Sequence, residues 1–180
     1  MVILILHGIG GYAGIHWQKW LHDNLLKEGH KVIMPDLSES SHPDRKVWLK
    51  AAQEIIKDID PSDLVIVAHS LGVTTALDLI EQFPVRALIS VSGFAFDYGA
   101  ELNSYFLSEK TVDFEKVNKN FKQVFVIYGD NDPYVPQDVL KSLAEHLIVK
   151  PEIITNGGHL NTDSGFIIFP RLLEIIKLIE

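Results

Sequence analysis

The chain contains no cysteine. This excludes a disulfide framework, a thiolate nucleophile and a thiolate metal site. It also fits a reducing compartment; with no stretch of membrane length in the sequence, the cytoplasm is the default expectation. Basic residues are scarce: 16 Lys and Arg face 24 Asp and Glu, for a formal net charge of −8, and no basic block occurs. Nucleic acid is therefore not an expected partner. Membrane-length apolar runs are missing as well. The run Met1 to Leu6 stops at His7-Gly8 and has no basic residue before it, too short for a membrane span or a secretory core. Eight histidines occur, but none pairs at i and i+4 beside a carboxylate on one helix, so no metal is expected.

What is present describes one folded unit. The 180 residues are 47% hydrophobic and 22% charged, which suits a single domain over 1–180 with one core. Short apolar runs alternate with amphipathic stretches. Strands are expected over Val2–Leu6, Lys31–Met34, Leu64–Ala68, Ala87–Val91, Gln123–Tyr128 and Pro151–Thr155. Helices are expected over His16–Lys27, about a dozen residues after Asp44, Leu71–Phe83, Gln137–Leu147 and Ile167–Glu180. Residues 94–122 have weak periodicity and read as loop with one or two short helices, placed where a small lid could sit. Strands alternating with helices predict an α/β fold with a parallel sheet covered on both faces. Right-handed crossovers then bring every strand's C-terminal end to one edge, where ligands bind.

Three strand ends carry the chemistry. Ala68-His69-Ser70-Leu71-Gly72 follows one strand and opens a helix. A serine on such a turn needs small residues two before and two after it, because backbone crowds there. Ser70 is the candidate nucleophile, and the turn aims the N–H of Leu71 at an oxyanion. Gly129-Asp130-Asn131-Asp132-Pro133 follows the fifth strand. Asp132 is the preferred orienting acid, with Asp130 a competitor from the same loop. Asn156-Gly157-Gly158-His159 follows the last strand, and His159 can reach Ser70 as a general base. The order Ser, Asp, His at successive strand ends is that of one triad class.

The first turn, His7-Gly8-Ile9-Gly10-Gly11, can present a second oxyanion donor, the N–H of Ile9; such donors are worth about 3–4 kcal/mol each. It lacks G-x-G-x-x-G spacing and a following Gly-Lys-Ser/Thr, so no nucleotide or other cofactor is expected. Phe94, Tyr98, Tyr105 and Tyr134 lie at the active edge and, with Leu160, are candidate pocket residues. His69 is expected to pack, not react.

On these motifs the chain resembles the α/β-hydrolase superfamily over nearly its whole length. Within it, the resemblance is to the small single-domain serine hydrolases that include the YdeN proteins and retinoblastoma-binding protein nine. It rests on the first strand running into His7-Gly8, on His16-Trp17 with Trp20, on Met34-Pro35 and Trp48-Leu49. Ala68-His-Ser-Leu-Gly72, Val91-Ser-Gly-Phe94 and Gly157-Gly-His159 complete it. The resemblance implies a Ser70–His159–Asp132 triad and a six-stranded core in the order two-one-three-four-five-six, without the two opening antiparallel strands of larger members. It implies a small ester, thioester or amide substrate and esterase-like chemistry, with aminopeptidase or amidase activity open. The expected assembly is a monomer or weak homodimer. A non-catalytic protein-binding module on the same scaffold is the alternative.

Overall fold

A computed structural model describes residues 1–179. Six strands, β1 (Val2–Leu6), β2 (Lys31–Ile33), β3 (Leu64–His69), β4 (Val85–Val91), β5 (Phe121–Gly129) and β6 (Glu152–Ile154), form one sheet. Its order is β2-β1-β3-β4-β5-β6, and every neighbouring pair is parallel. The pairings Leu6 with Ala68, His69 with Val91, Val91 with Ile127 and Gly129 with Ile154 align the C-terminal ends along one edge.

Side chains alternate along each strand and so build two cores. Leu4, Leu6, Ile66 and Leu88 face α2 (Arg45–Ile56), α3 (Leu71–Ile80) and α6 (Gln137–His146). Ile3, Ile5, Val65, Val67 and Ile89 face α1 (Gln18–Lys27) and α7 (Pro170–Ile179). Every residue of α3 is buried: it lies against β3 under α2, with α4 (Ser104–Ser108) and α5 (Phe114–Lys119) on the same side of the sheet. A helix enclosed in this way is apolar on all faces, apart from Thr74, Thr75 and Asp78.

Asp78 has the partner that its burial requires. Arg45, in the first turn of α2, grips it through Nε to Oδ2 at 2.7 Å and Nη2 to Oδ1 at 2.9 Å. The remaining guanidinium nitrogen donates to the carbonyls of Phe106, Leu107 and Lys110. Lys110 reaches Asp78 and Glu81. The 94–122 segment thus contains two short helices, and its middle is fastened to α2 and α3.

Boundaries shift for local reasons. The first helix opens at Gln18, because His16 sits at φ 58° and breaks the helical run. It closes at Gly29, φ 87°, with the His30 N–H returning to Leu25. The third helix stops at Ile80 instead of Phe83, and the sixth strand keeps only Glu152–Ile154. The fifth strand starts two residues early, since Phe121 pairs with Val85. The last helix opens at Pro170, a residue suited to a first helical turn; its expected end, Glu180, lies outside the described residues. No helix among the described residues is long and apolar enough to cross a membrane.

Candidate active site

Ser70 stands between β3 and α3 with φ 54° and ψ −128°. This is a strained backbone for a residue with a side chain, of the kind that costs about 1–3 kcal/mol and persists where surroundings enforce it. The surroundings here are close-packed. A Cβ on Gly72 would collide with the carbonyl oxygen of His7 and lie 3.0 Å from that of Leu6. Ala68 is fully buried between Leu6 and Ser90 of the adjoining strands. Gly8, just beyond β1, is equally constrained: a Cβ there would be 2.8 Å from Ser70 Cβ and 3.3 Å from its Oγ.

Ser70 Oγ lies 3.0 Å from His159 Nε2, and His159 Nδ1 lies 2.7 Å from Asp132 Oδ2. A carboxylate only accepts, so Nδ1 carries the proton and Nε2 is free to accept from the Ser70 hydroxyl. The other oxygen of Asp132 accepts from the N–H groups of Tyr134 and Val135. Its side chain is fully buried. Asp130 and Asn131 do different work. Asp130 accepts from the Asn156 N–H and Asn131 from the Gly158 N–H, both at 2.7 Å. Three consecutive residues of one loop therefore hold the other loop, and only Asp132 touches the imidazole.

The approach of Gly8 to Ser70 brings Ile9 to the cavity wall beside the hydroxyl. Leu71 follows Ser70 as the first residue of α3. Neither N–H is engaged by an acceptor among the described residues. The His7 imidazole holds this loop: Leu37 N–H donates to its Nε2 at 2.9 Å, which leaves Nδ1–H to donate to the Gly8 carbonyl at 2.8 Å. Burial pushes its pKa down and keeps it neutral.

Two further histidines surround His159. His69 is buried and donates from Nε2 to the His159 carbonyl at 2.9 Å; burial drives its pKa well down. His16 accepts the Thr162 N–H at Nδ1, 3.1 Å away. Its pKa is also lowered, first by burial and then by the charge of His159. Sequence reasoning assigned neither partner. His69 reads there only as packing, and the sole local signal for His16 is its place beside Trp17 in a family motif.

A cavity of about 450 Å³ opens over Ser70 and His159. Phe94, Tyr98 and Tyr134 line it. Leu160 does not. Its φ of 49° turns it back into the core against α1 and α7, where it is fully buried and its carbonyl accepts from Trp17 Nε1. Tyr105 is also elsewhere, on α4 over a separate shallow groove, stacked on His42 at 4.0 Å.

The model of the serine hydrolase family matches residues 3–177. The chain belongs to the serine hydrolase family. Rattus norvegicus serine hydrolase RBBP9 is 25% identical to this hydrolase, over 98% of this chain and 92% of the relative. Among solved structures, the ydeN gene product of B. subtilis superposes with a TM-score of 0.90 at 24% identity, covering 99% of this chain and 97% of the other. A carboxylesterase structure from Nitrososphaera gargenis superposes with a TM-score of 0.73 at 13% identity, covering 99% and 90%. This serine hydrolase is thus a small α/β-hydrolase and a hydrolase enzyme.

Proposed function

We propose that this hydrolase cleaves small carboxylic esters, thioesters or amides through an acyl-Ser70 intermediate. The observation that carries the reading is the unbroken chain from Asp132 through His159 to Ser70, at 2.7 and 3.0 Å, ending at the cavity floor. The Ser70 oxygen attacks the substrate carbonyl carbon while its proton passes to His159 Nε2. Negative charge collects on the carbonyl oxygen, where the N–H groups of Ile9 and Leu71 receive it. The bond to the leaving group then breaks, and that group takes the proton from Nε2. Water repeats the sequence: it gives a proton to His159, its oxygen bonds the acyl carbon, and Ser70 departs with the proton. Asp132 keeps the imidazole in the required tautomer and offsets its transient positive charge.

The N. gargenis carboxylesterase supports ester cleavage as the first chemistry to examine. Labelling with a fluorophosphonate, wild type beside Ser70→Ala, tests the reading. An adduct mapped to Ser70 and absent from the variant is expected. A folded wild-type protein that takes no label, or full esterase activity in Ser70→Ala, sinks it.

A further inference from the structure

The cavity wall has a one-sided charge inventory. Among the described residues no lysine or arginine lines it, and Glu101 is its one carboxylate. Imidazoles could have supplied positive charge, but two of the three are tied in neutral form. The Thr162 N–H can only donate, so His16 Nδ1 must remain an acceptor. His69 is enclosed and carries a single proton on the nitrogen that faces the His159 carbonyl. The third, His159, faces Asp132. Glu101 is exposed at the rim, with no hydrogen-bond or ion-pair partner among the described residues. Beside it, Asn103 is 3% exposed and lines the same cavity. Its Nδ2 donates to the Tyr98 hydroxyl at 2.9 Å. Its Oδ1 is buried without a partner, an acceptor lacking a donor.

Resting on the acyl-transfer reading above, we propose that this site selects its substrates by charge. Glu101 receives an ammonium-bearing group, and anionic substrates are turned away. An anionic group entering this wall meets a carboxylate and no countercharge.

The test uses para-nitrophenyl esters of three acids with equal chains, aminohexanoic, heptanoic and pimelic, so that the chain ends in ammonium, methyl or carboxylate. The expected order of kcat/KM is ammonium above methyl above carboxylate, with steps of up to about fivefold, the scale of a solvent-exposed ion pair. The ammonium preference shrinks as salt rises, because the pair is screened. It collapses in Glu101→Gln and persists in Glu115→Gln, which removes an exposed carboxylate from α5. Equal rates for the three esters, preference for the carboxylate, or a preference surviving Glu101→Gln overturns the inference while the hydrolase reading stands. No turnover of any of the three, with Ser70 unlabelled, overturns both.

Discussion

His69 Nε2 donates to the backbone carbonyl of His159 at 2.9 Å, so the residue preceding the proposed nucleophile holds the loop that carries the proposed base. The two ring centroids are 4.9 Å apart. This contact joins the end of β3 to the loop after β6, across the two intervening strands of the sheet. A protonated His69 beside a catalytic His159 would repel the imidazolium formed during turnover. Burial prevents this by holding His69 neutral.

That neutrality makes stability depend on pH. The folded-state pKa values of His69, His7 and His16 lie below the ordinary 6.5. Below that pH the unfolded chain binds protons that the folded chain refuses, so stability falls as pH drops. The stabilising contribution is complete above the unfolded value and is lost as pH falls toward the folded ones. Each histidine can contribute a slope of up to about 1.4 kcal/mol per pH unit. Urea midpoints measured from about pH 7.5 down to about pH 5 should decline. His69→Gln, which can keep a donor for the His159 carbonyl, should flatten the decline. An unchanged slope in that variant would show that His69 is not held neutral.

The two aspartates of the β5 loop should separate cleanly. Asp132→Asn should reduce kcat by about 10⁴, because the amide favours the wrong imidazole tautomer. Asp130→Ala should lose only the hydrogen bond from the Asn156 N–H, costing about 1 kcal/mol of stability with a far smaller loss of turnover. Steady-state kinetics and urea unfolding on both variants check this. The reverse pattern in kcat would make Asp130 the orienting acid.

Why some of this was legible in the sequence and some was not follows from where the information lies. The runs Val2–Leu6 and Leu64–His69 are apolar because both faces of a central parallel strand are covered. The small residues around Ser70 are a local steric demand, visible as Ala68 and Gly72. Ser70, Asp132 and His159 come together because parallel topology aligns strand ends. Partners distant in the chain leave no such mark. Nothing near His16 announces Thr162, which is 146 positions away, nor near His69 the His159 carbonyl, 90 away. Leu160 adjoins His159 in sequence, yet one left-handed residue sends its side chain into the core. Tyr105 lies in the expected segment, but α4 carries it to another groove.

Glycine positions next to the elbow should fail in two different ways. Gly8→Ala directs a methyl against Ser70 Cβ and Oγ, so it should slow fluorophosphonate labelling strongly while the protein still folds. Gly72→Ala directs one against the carbonyls of His7 and Leu6, where backbone cannot yield. Overpacking of this kind costs about 1–3 kcal/mol, so Gly72→Ala should show the larger fall in thermal midpoint. Labelling rates and thermal unfolding of both variants distinguish the two effects. Normal labelling of Gly8→Ala would mean that the loop can retreat from the hydroxyl.

The cluster around Arg45 controls how firmly residues 104–110 are held. Arg45 and Asp78 are 3% and 1% exposed, and the guanidinium also serves three backbone carbonyls of the segment that covers α3. Removing one member of a buried pair costs about 3–5 kcal/mol, because the other charge stays behind in low dielectric. Lys110 still reaches Asp78 and is itself 40% exposed, so Arg45→Met should fall at the lower end of that range. The carbonyls of Phe106 and Leu107 would lose their donor without gaining water. Amide exchange should therefore accelerate across 104–110 by more than in α1, on the far face of the sheet. Uniform acceleration over the whole chain would mean instead that the segment opens only when the domain unfolds.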